Sequence, residues 1–103
     1  GHDEEALEHA ERAVEADERF PQAWFNRGFL LLERGLAAQA VDAFENAQRL
    51  GMSNARIHEE MARALEEMGE DERAQEAFER AEELRAQAEE GLIEDETESG
   101  MVE

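Results

Sequence analysis

The stretch Pro21-Gln22-Ala23-Trp24-Phe25-Asn26-Arg27-Gly28-Phe29-Leu30-Leu31-Leu32-Glu33-Arg34-Gly35 has a counterpart 34 residues on. There the chain reads Ala55-Arg56-Ile57-His58-Glu59-Glu60-Met61-Ala62-Arg63-Ala64-Leu65-Glu66-Glu67-Met68-Gly69. Ala23-Trp24 falls opposite Ile57-His58, Gly28 opposite Ala62, Leu31 opposite Leu65 and Gly35 opposite Gly69. The same shift aligns Ala6, Ala40 and Ala74, then Ala13, Ala47 and Ala81. Phe44 aligns with Phe78, with Ala10 in that place in the first copy, and Leu50 aligns with Leu84. Agreement at this many apolar and glycine places marks an internal repeat.

Within each copy the apolar spacing is helical. It predicts helices at 3–16, 21–34, 37–50, 54–68 and 71–90. Pro21 suits the first turn of a helix, where a missing N–H is no loss. Gly35, Gly51, Gly69 and Gly91 each follow a helical stretch, where a left-handed residue closes the last turn. Ser53 or Asn54 can cap the fourth helix and Asp71 the fifth. Glu-to-Arg pairs at i, i+4 recur at Glu8–Arg12, Glu15–Arg19, Glu45–Arg49, Glu59–Arg63 and Glu76–Arg80. Each adds only about 0.2–0.5 kcal/mol.

The run from Ala23-Trp24 through Gly28, Leu31 and Gly35 to Ala40, Phe44 and Ala47 resembles the tetratricopeptide repeat. The second copy departs from that pattern with His58 for the aromatic and Met61-Ala62 for the usual Leu-Gly pair. Glu18 and Met52 stand where the family closes a repeat with proline. The resemblance implies an all-α fold, with antiparallel helix-turn-helix repeats stacked as a short right-handed solenoid. It covers a half repeat at 3–20 and full repeats at 21–54 and 55–88, within a helical domain of residues 3–93. Leu92 and Ile93 are expected to finish the packing of the last helix. Residues 94–103 are nearly all polar and read as an acidic flexible tail. Gly1-His2 reads as the remnant of a cleaved tag.

Composition taken alone points the other way. Leu, Ile, Val and Phe make only 19 of 103 residues, and the formal charge is −19, which together resemble a disordered chain. The 18 alanines correct that reading, because alanine is small, apolar and the best helix former. All ten basic residues are arginine, with no lysine and no cysteine. The charge has the wrong sign for binding nucleic acid through phosphates. The longest apolar run is Phe29–Leu32, so no membrane segment is expected, and a cytoplasmic location is the default. Surface glutamate without lysine fits adaptation to high internal salt, and a coding bias toward arginine fits equally. The charges repel over distances near the Debye length, about 8 Å at 0.15 M and 3 Å at 1 M. The melting temperature is therefore expected to rise from low to molar NaCl. A flat or falling trend would show charges already well paired.

Catalysis finds no support. His2 belongs to the tag remnant, His9 to a solvated face, and His58 to the packing place held by Trp24 in the first copy. None has a serine or cysteine nucleophile at helical spacing. Ser53 reads as a cap and Ser99 lies in the tail. The carboxylates sit on solvated faces beside arginines, and a general acid needs one held apart with a raised pKa. Neither a calcium loop nor a glycine-rich phosphate loop is present. The expectation is a protein that is not an enzyme, with no cofactor and no metal.

One feature exceeds what the repeat requires. Phe25, Phe29 and Leu32 form a second apolar stripe beside Trp24, Gly28 and Leu31, whereas the second copy carries Glu59, Arg63 and Glu66 in those places. In the resembling family these places face the concave groove that holds peptide ligands, and Asn26 matches an asparagine common there. The family's chaperone-tail clamp is not implied, because it wants Lys and Asn where Phe25 and Phe29 stand, and Glu60 takes its second asparagine place. The expected ligand groove is thus Phe25, Asn26, Phe29 and Leu32, with Arg56 and Arg63 steering acidic groups. The stripe fits equally a contact with a partner chain or the covered end of a stack. A second open surface follows from the half repeat. Ala6, Ala10 and Ala13, with Leu7 and Val14 beside them, lack the first helix that later copies supply, which favours a weak homodimer. The leading reading is an adaptor module for a protein or peptide partner. The alternatives are a structural piece of a longer or self-associating solenoid, and a regulatory segment of a larger enzyme. Two and a half repeats fall below the roughly three expected of an independently stable array.

Overall fold

A computed structural model describes the backbone of residues 2–102 and the side chains of residues 4–90. It holds five helices: α1 His2–Ala16, α2 Pro21–Glu33, α3 Ala37–Arg49, α4 Ala55–Glu67 and α5 Asp71–Val102. No strand occurs among the described residues, and no described helix is long and apolar enough to cross a membrane. The closest pairs are α2 with α3 and α4 with α5, which are the two helical hairpins of the repeats. α1 packs on α2, and α3 packs on α4, so each hairpin rests on the element before it.

Three of the four connections are set by one device. Gly35, Gly51 and Gly69 have φ of 80°, 107° and 79°, a backbone region open to glycine without steric cost. The Gly35 N–H donates to the Leu32 carbonyl at 2.9 Å and the Leu36 N–H to the Leu31 carbonyl at 2.9 Å. The same two bonds recur after Gly51, to Gln48 and Ala47, and after Gly69, to Glu66 and Leu65. This pair of hydrogen bonds satisfies carbonyls in the last turn of each helix and closes it in the same way three times. Pro21 opens α2 as expected. Asn54 is the cap of α4, since its Oδ1 accepts from the Ile57 N–H at 3.0 Å. Asp71 is the first residue inside α5 rather than its cap, and there its charge favours the helix N-terminus.

The core alternates small and large side chains on each of the helices α2, α3 and α4, and α5 adds the buried alanines Ala74, Ala77 and Ala81. Ala40, Phe44 and Ala47 are fully buried on α3, as are Ile57, Ala62 and Ala64 on α4. Phe44, Ile57 and Leu65 are the largest fully buried side chains. A Cβ built on Gly28 would stand 2.7 Å from the Phe44 ring and 3.2 Å from the Ala40 carbonyl oxygen. Glycine is therefore what lets α2 lie directly against α3.

Two expectations change. The last helix was expected to stop at Gly91, but helical backbone runs on to Val102. Glycine inside a helix costs about 1 kcal/mol, which is a bias and not a stop, and no proline follows to enforce one. The side chains of Leu92 and Ile93 and of the acidic stretch 94–103 lie outside the described residues. The ion pairs also choose other partners. Arg63 meets Glu60 at 3.5 Å, Arg73 meets Glu70 at 3.3 Å and Arg80 meets Glu83 at 3.0 Å, all three places apart. Arg85 of α5 takes Glu59 of α4. None of the five predicted i, i+4 pairs is among the ion pairs of the described residues. Exposed pairs gain so little that either spacing serves.

Candidate functional site

Six residues were expected to line a concave groove, and the structure divides them. Phe25 is buried, and its ring lies 5.6 Å from that of Phe44 at an interplanar angle of 44°. Leu32 is buried as well. Both belong to the core and offer a ligand little surface. Phe29 stays half-buried, and Asn26 is exposed, with its Oδ1 accepting from Gln22 at 3.0 Å. The Arg56 guanidinium reaches over from α4 to both rings, 5.6 Å from the centroids of Phe25 and of Phe29. Such stacking shields the Phe25 face and is worth about 0.5–1 kcal/mol at an exposed site. Arg63 is exposed and held by Glu60. Glu60 is itself the one charged side chain buried among the described residues, a feature its place in a Glu-Glu pair does not signal.

The α1 residues divide in the same way. Leu7, Ala10 and Val14 are buried, Ala6 is half-buried and Ala13 is exposed. Helices α1 and α2 run antiparallel, so the head of α1 meets the tail of α2, where Arg34 pairs with Glu4 at 4.0 Å. That packing brings the two predicted patches together. Ala6, Ala10 and Ala13 on one wall, and Asn26, Phe29 and Leu30 on the other, enclose one open groove of about 440 Å³. His9, expected on a solvated face, is exposed and completes the lining. The groove is apolar along its length, with polar atoms only at His9 and Asn26 among the side chains that line it. Leu30 escaped notice in the sequence because it stands within an unbroken apolar run, where no spacing separates core from surface.

The places of Trp24 and His58 show how one position serves two ends. The Trp24 indole N–H donates to the Glu18 carbonyl at 2.8 Å and so ties α2 to the loop before it. The Arg27 guanidinium lies 5.7 Å from the Trp24 ring centroid. His58 instead places Nδ1 3.5 Å from the Gln48 amide, with Nε2 buried and without a partner. Burial and then the Arg80 charge hold its pKa below the usual histidine value. The neutral imidazole packs as a modest substitute for an indole. Among the described residues no group of three or more His, Asp or Glu side chains is gathered to hold a metal ion.

Residues 55–87 match the tetratricopeptide repeat family. Five helices in this order, with glycine-closed hairpins and the small residues of each copy buried at the same places, carry that pattern across the chain. It is a tetratricopeptide-repeat fold. The repeat domain is similar to the solved structure of MamA MSR-1, with a TM-score of 0.77 and 26% identity over 84% of this chain and 50% of that one. It is similar to MamA AMB-1 with a TM-score of 0.74 and 28% identity, over 81% of this chain and 49% of that one. A further MamA structure, at 19% identity and a TM-score of 0.78, shares the fold. The repeat domain spans about half the length of the MamA chains that it matches. No curated protein sequence matches it.

Proposed function

We propose that the repeat domain is a protein-interaction module that takes an apolar segment of a protein partner in the groove between α1 and α2. The observation that carries this reading is the groove itself. Phe29 stands half-exposed in a place where the second repeat carries the exposed Arg63, and it opens onto the uncovered alanines Ala6 and Ala13. Uncovered apolar surface of this kind is a usual mark of an interaction site. Phe25 and Leu32 of the same helix are buried in the core, and the Arg56 guanidinium of α4 lies 5.6 Å from the Phe29 ring centroid. Asn26 supplies a polar contact at the rim. Affinity would rest on one or two buried apolar anchors, as in most small interfaces.

The experiment is a selection of helical and extended peptides from a randomised display library on the immobilised domain. The selected peptides are expected to carry a large apolar residue. Burying one such anchor is worth about 1.5–3 kcal/mol, so Phe29→Ala should weaken binding about ten-fold or more. Glu59→Ala, on α4 and outside the groove, should have a far smaller effect. Peptides that bound the Phe29→Ala domain as well as the native one would place the ligand elsewhere. A second reading, a weak homodimer through the same alanines, draws on the exposure of Ala13 and is opposed by the charge of −19 on each copy.

A further inference from the structure

Nine of the ten arginines are exposed, and the tenth, Arg27 on α2, is half-buried. Its Nε is buried without a hydrogen-bond partner. It makes no ion pair among the described residues, in a chain with 29 acidic side chains. A buried polar group left without a partner is costly, and its presence calls for a reason. The repeat supplies none. One period on, Met61 stands in the same place on α4 and is buried. An apolar side chain therefore satisfies the packing of that place.

Arg27 stands in a cleft of about 230 Å³ between α2 and α3, lined by Trp24, Arg27, Gln39, Asp42, Ala43 and Asn46. The cleft shares no residue with the groove between α1 and α2, and its hairpin has α1 packed before it and α4 after it. Three of its side chains are held in place. The Trp24 indole N–H donates to the Glu18 carbonyl at 2.8 Å. The Arg27 guanidinium lies 5.7 Å from the Trp24 ring centroid, within reach of cation–π attraction. Arg49 donates to Asn46 Oδ1 at 2.8 Å, which leaves the Asn46 amide nitrogen to donate elsewhere. The cleft thus offers donors at Arg27 and Asn46. Asp42, exposed and without an ion pair among the described residues, offers only acceptors. Arg27 and Asp42 line one cleft and do not pair with each other. In the second repeat the places of Gln39 and Asn46 hold Arg73 and Arg80, which are paired with Glu70 and Glu83.

A ligand for this cleft has to match a cation and an anion that stand apart. A simple anion meets Arg27 but also Asp42 and the field of −19. A simple cation meets Asp42 but also Arg27. A small zwitterion satisfies both charges and, being neutral overall, is not repelled by the field of the chain. The cleft is smaller than the about 300–1,000 Å³ of pockets for drug-sized ligands, so its ligand is about the size of one amino acid. We infer that the cleft between α2 and α3 binds a free amino acid as its zwitterion. The carboxylate accepts from Arg27 and Asn46, the ammonium group donates to Asp42, and the Trp24 ring forms one wall. This goes beyond the protein-interaction reading and does not depend on it.

Trp24 is the only tryptophan, so its indole N–H resonance and its fluorescence report on the cleft alone. The test titrates the native domain at low salt with alanine, acetate, ethylammonium and acetamide. Alanine is expected to bind about ten-fold tighter than acetate or ethylammonium, because each of those lacks one charge-assisted contact. Arg27→Met should abolish the response to alanine, and Asp42→Asn should remove the advantage of alanine over acetate. Arg27→Met gives a second readout. In about 1 M NaCl, where the lost charge is screened, the unliganded variant should melt no lower than the native domain, as Met61 is accepted in the same place of the second repeat. A lower melting temperature would make Arg27 a packing residue and overturn the inference. Acetate or acetamide binding as tightly as alanine would overturn the zwitterion assignment. No shift of the Trp24 signals with alanine would overturn the site itself and leave the reading of the groove between α1 and α2 untouched.

Discussion

Phe44→Ala is expected to remove about 3–5 kcal/mol of stability, the range for deleting a fully buried aromatic side chain. Phe44 has no exposed surface and contacts the Phe25 ring, the Gly28 backbone and the small residues around it. It is one of the largest fully buried side chains and stands against Gly28 of α2, so its loss opens a cavity in the contact between α2 and α3. A domain of this size has about 5–15 kcal/mol in all, so the variant should be close to unfolding. Phe78→Ala is the control. It removes the matching residue of the second repeat, which is only half-buried, and should cost clearly less. Urea denaturation in molar NaCl, where self-repulsion is screened, measures both. Equal losses would mean that the second repeat carries as much of the packing as the first.

Gly28→Ala is expected to destabilise by about 1–3 kcal/mol, against the usual direction of this change in a helix. Helix propensity alone would favour alanine by about 1 kcal/mol. The new methyl would meet the Phe44 ring at 2.7 Å with the Ala40 carbonyl at 3.2 Å behind it. The ring is fully buried and cannot retreat, so α2 has to move off α3. The sign should invert in a Phe44→Leu background, where the smaller side chain can yield and the propensity gain reappears. The second repeat carries Ala62 opposite the half-buried Phe78, and there the reverse change, Ala62→Gly, should cost about 1 kcal/mol through propensity alone. A stabilising Gly28→Ala in the native background would show that α2 and α3 sit further apart than the structure places them.

Periodicity alone was enough to locate the elements. The 34-residue shift, the glycines at 35, 51 and 69 and the proline at 21 place four helices to within a residue or two at each end. These are local signals. A left-handed turn needs glycine, and a close helix pair needs small residues in a row, whatever the rest of the chain does. Gly91 carried the same local signal and did not end α5, because a glycine permits a turn without imposing one.

What the sequence could not decide is which apolar surface remains uncovered. An isolated α2 has one broad apolar face, and nothing along it distinguishes Phe25 and Leu32 from Phe29. Only the approach of α3, with Phe44 against Phe25, and of α4, with Arg56 over both rings, sorts the buried from the open. In the same way the alanine row of α1 and the phenylalanine of α2 look like two separate patches, because they lie in different helices. The antiparallel packing of α1 on α2 makes them the two walls of one groove. Helical period and turn chemistry are properties of neighbouring residues and are written in their order. Exposure is a property of what stands opposite, and it exists only once the helices have met.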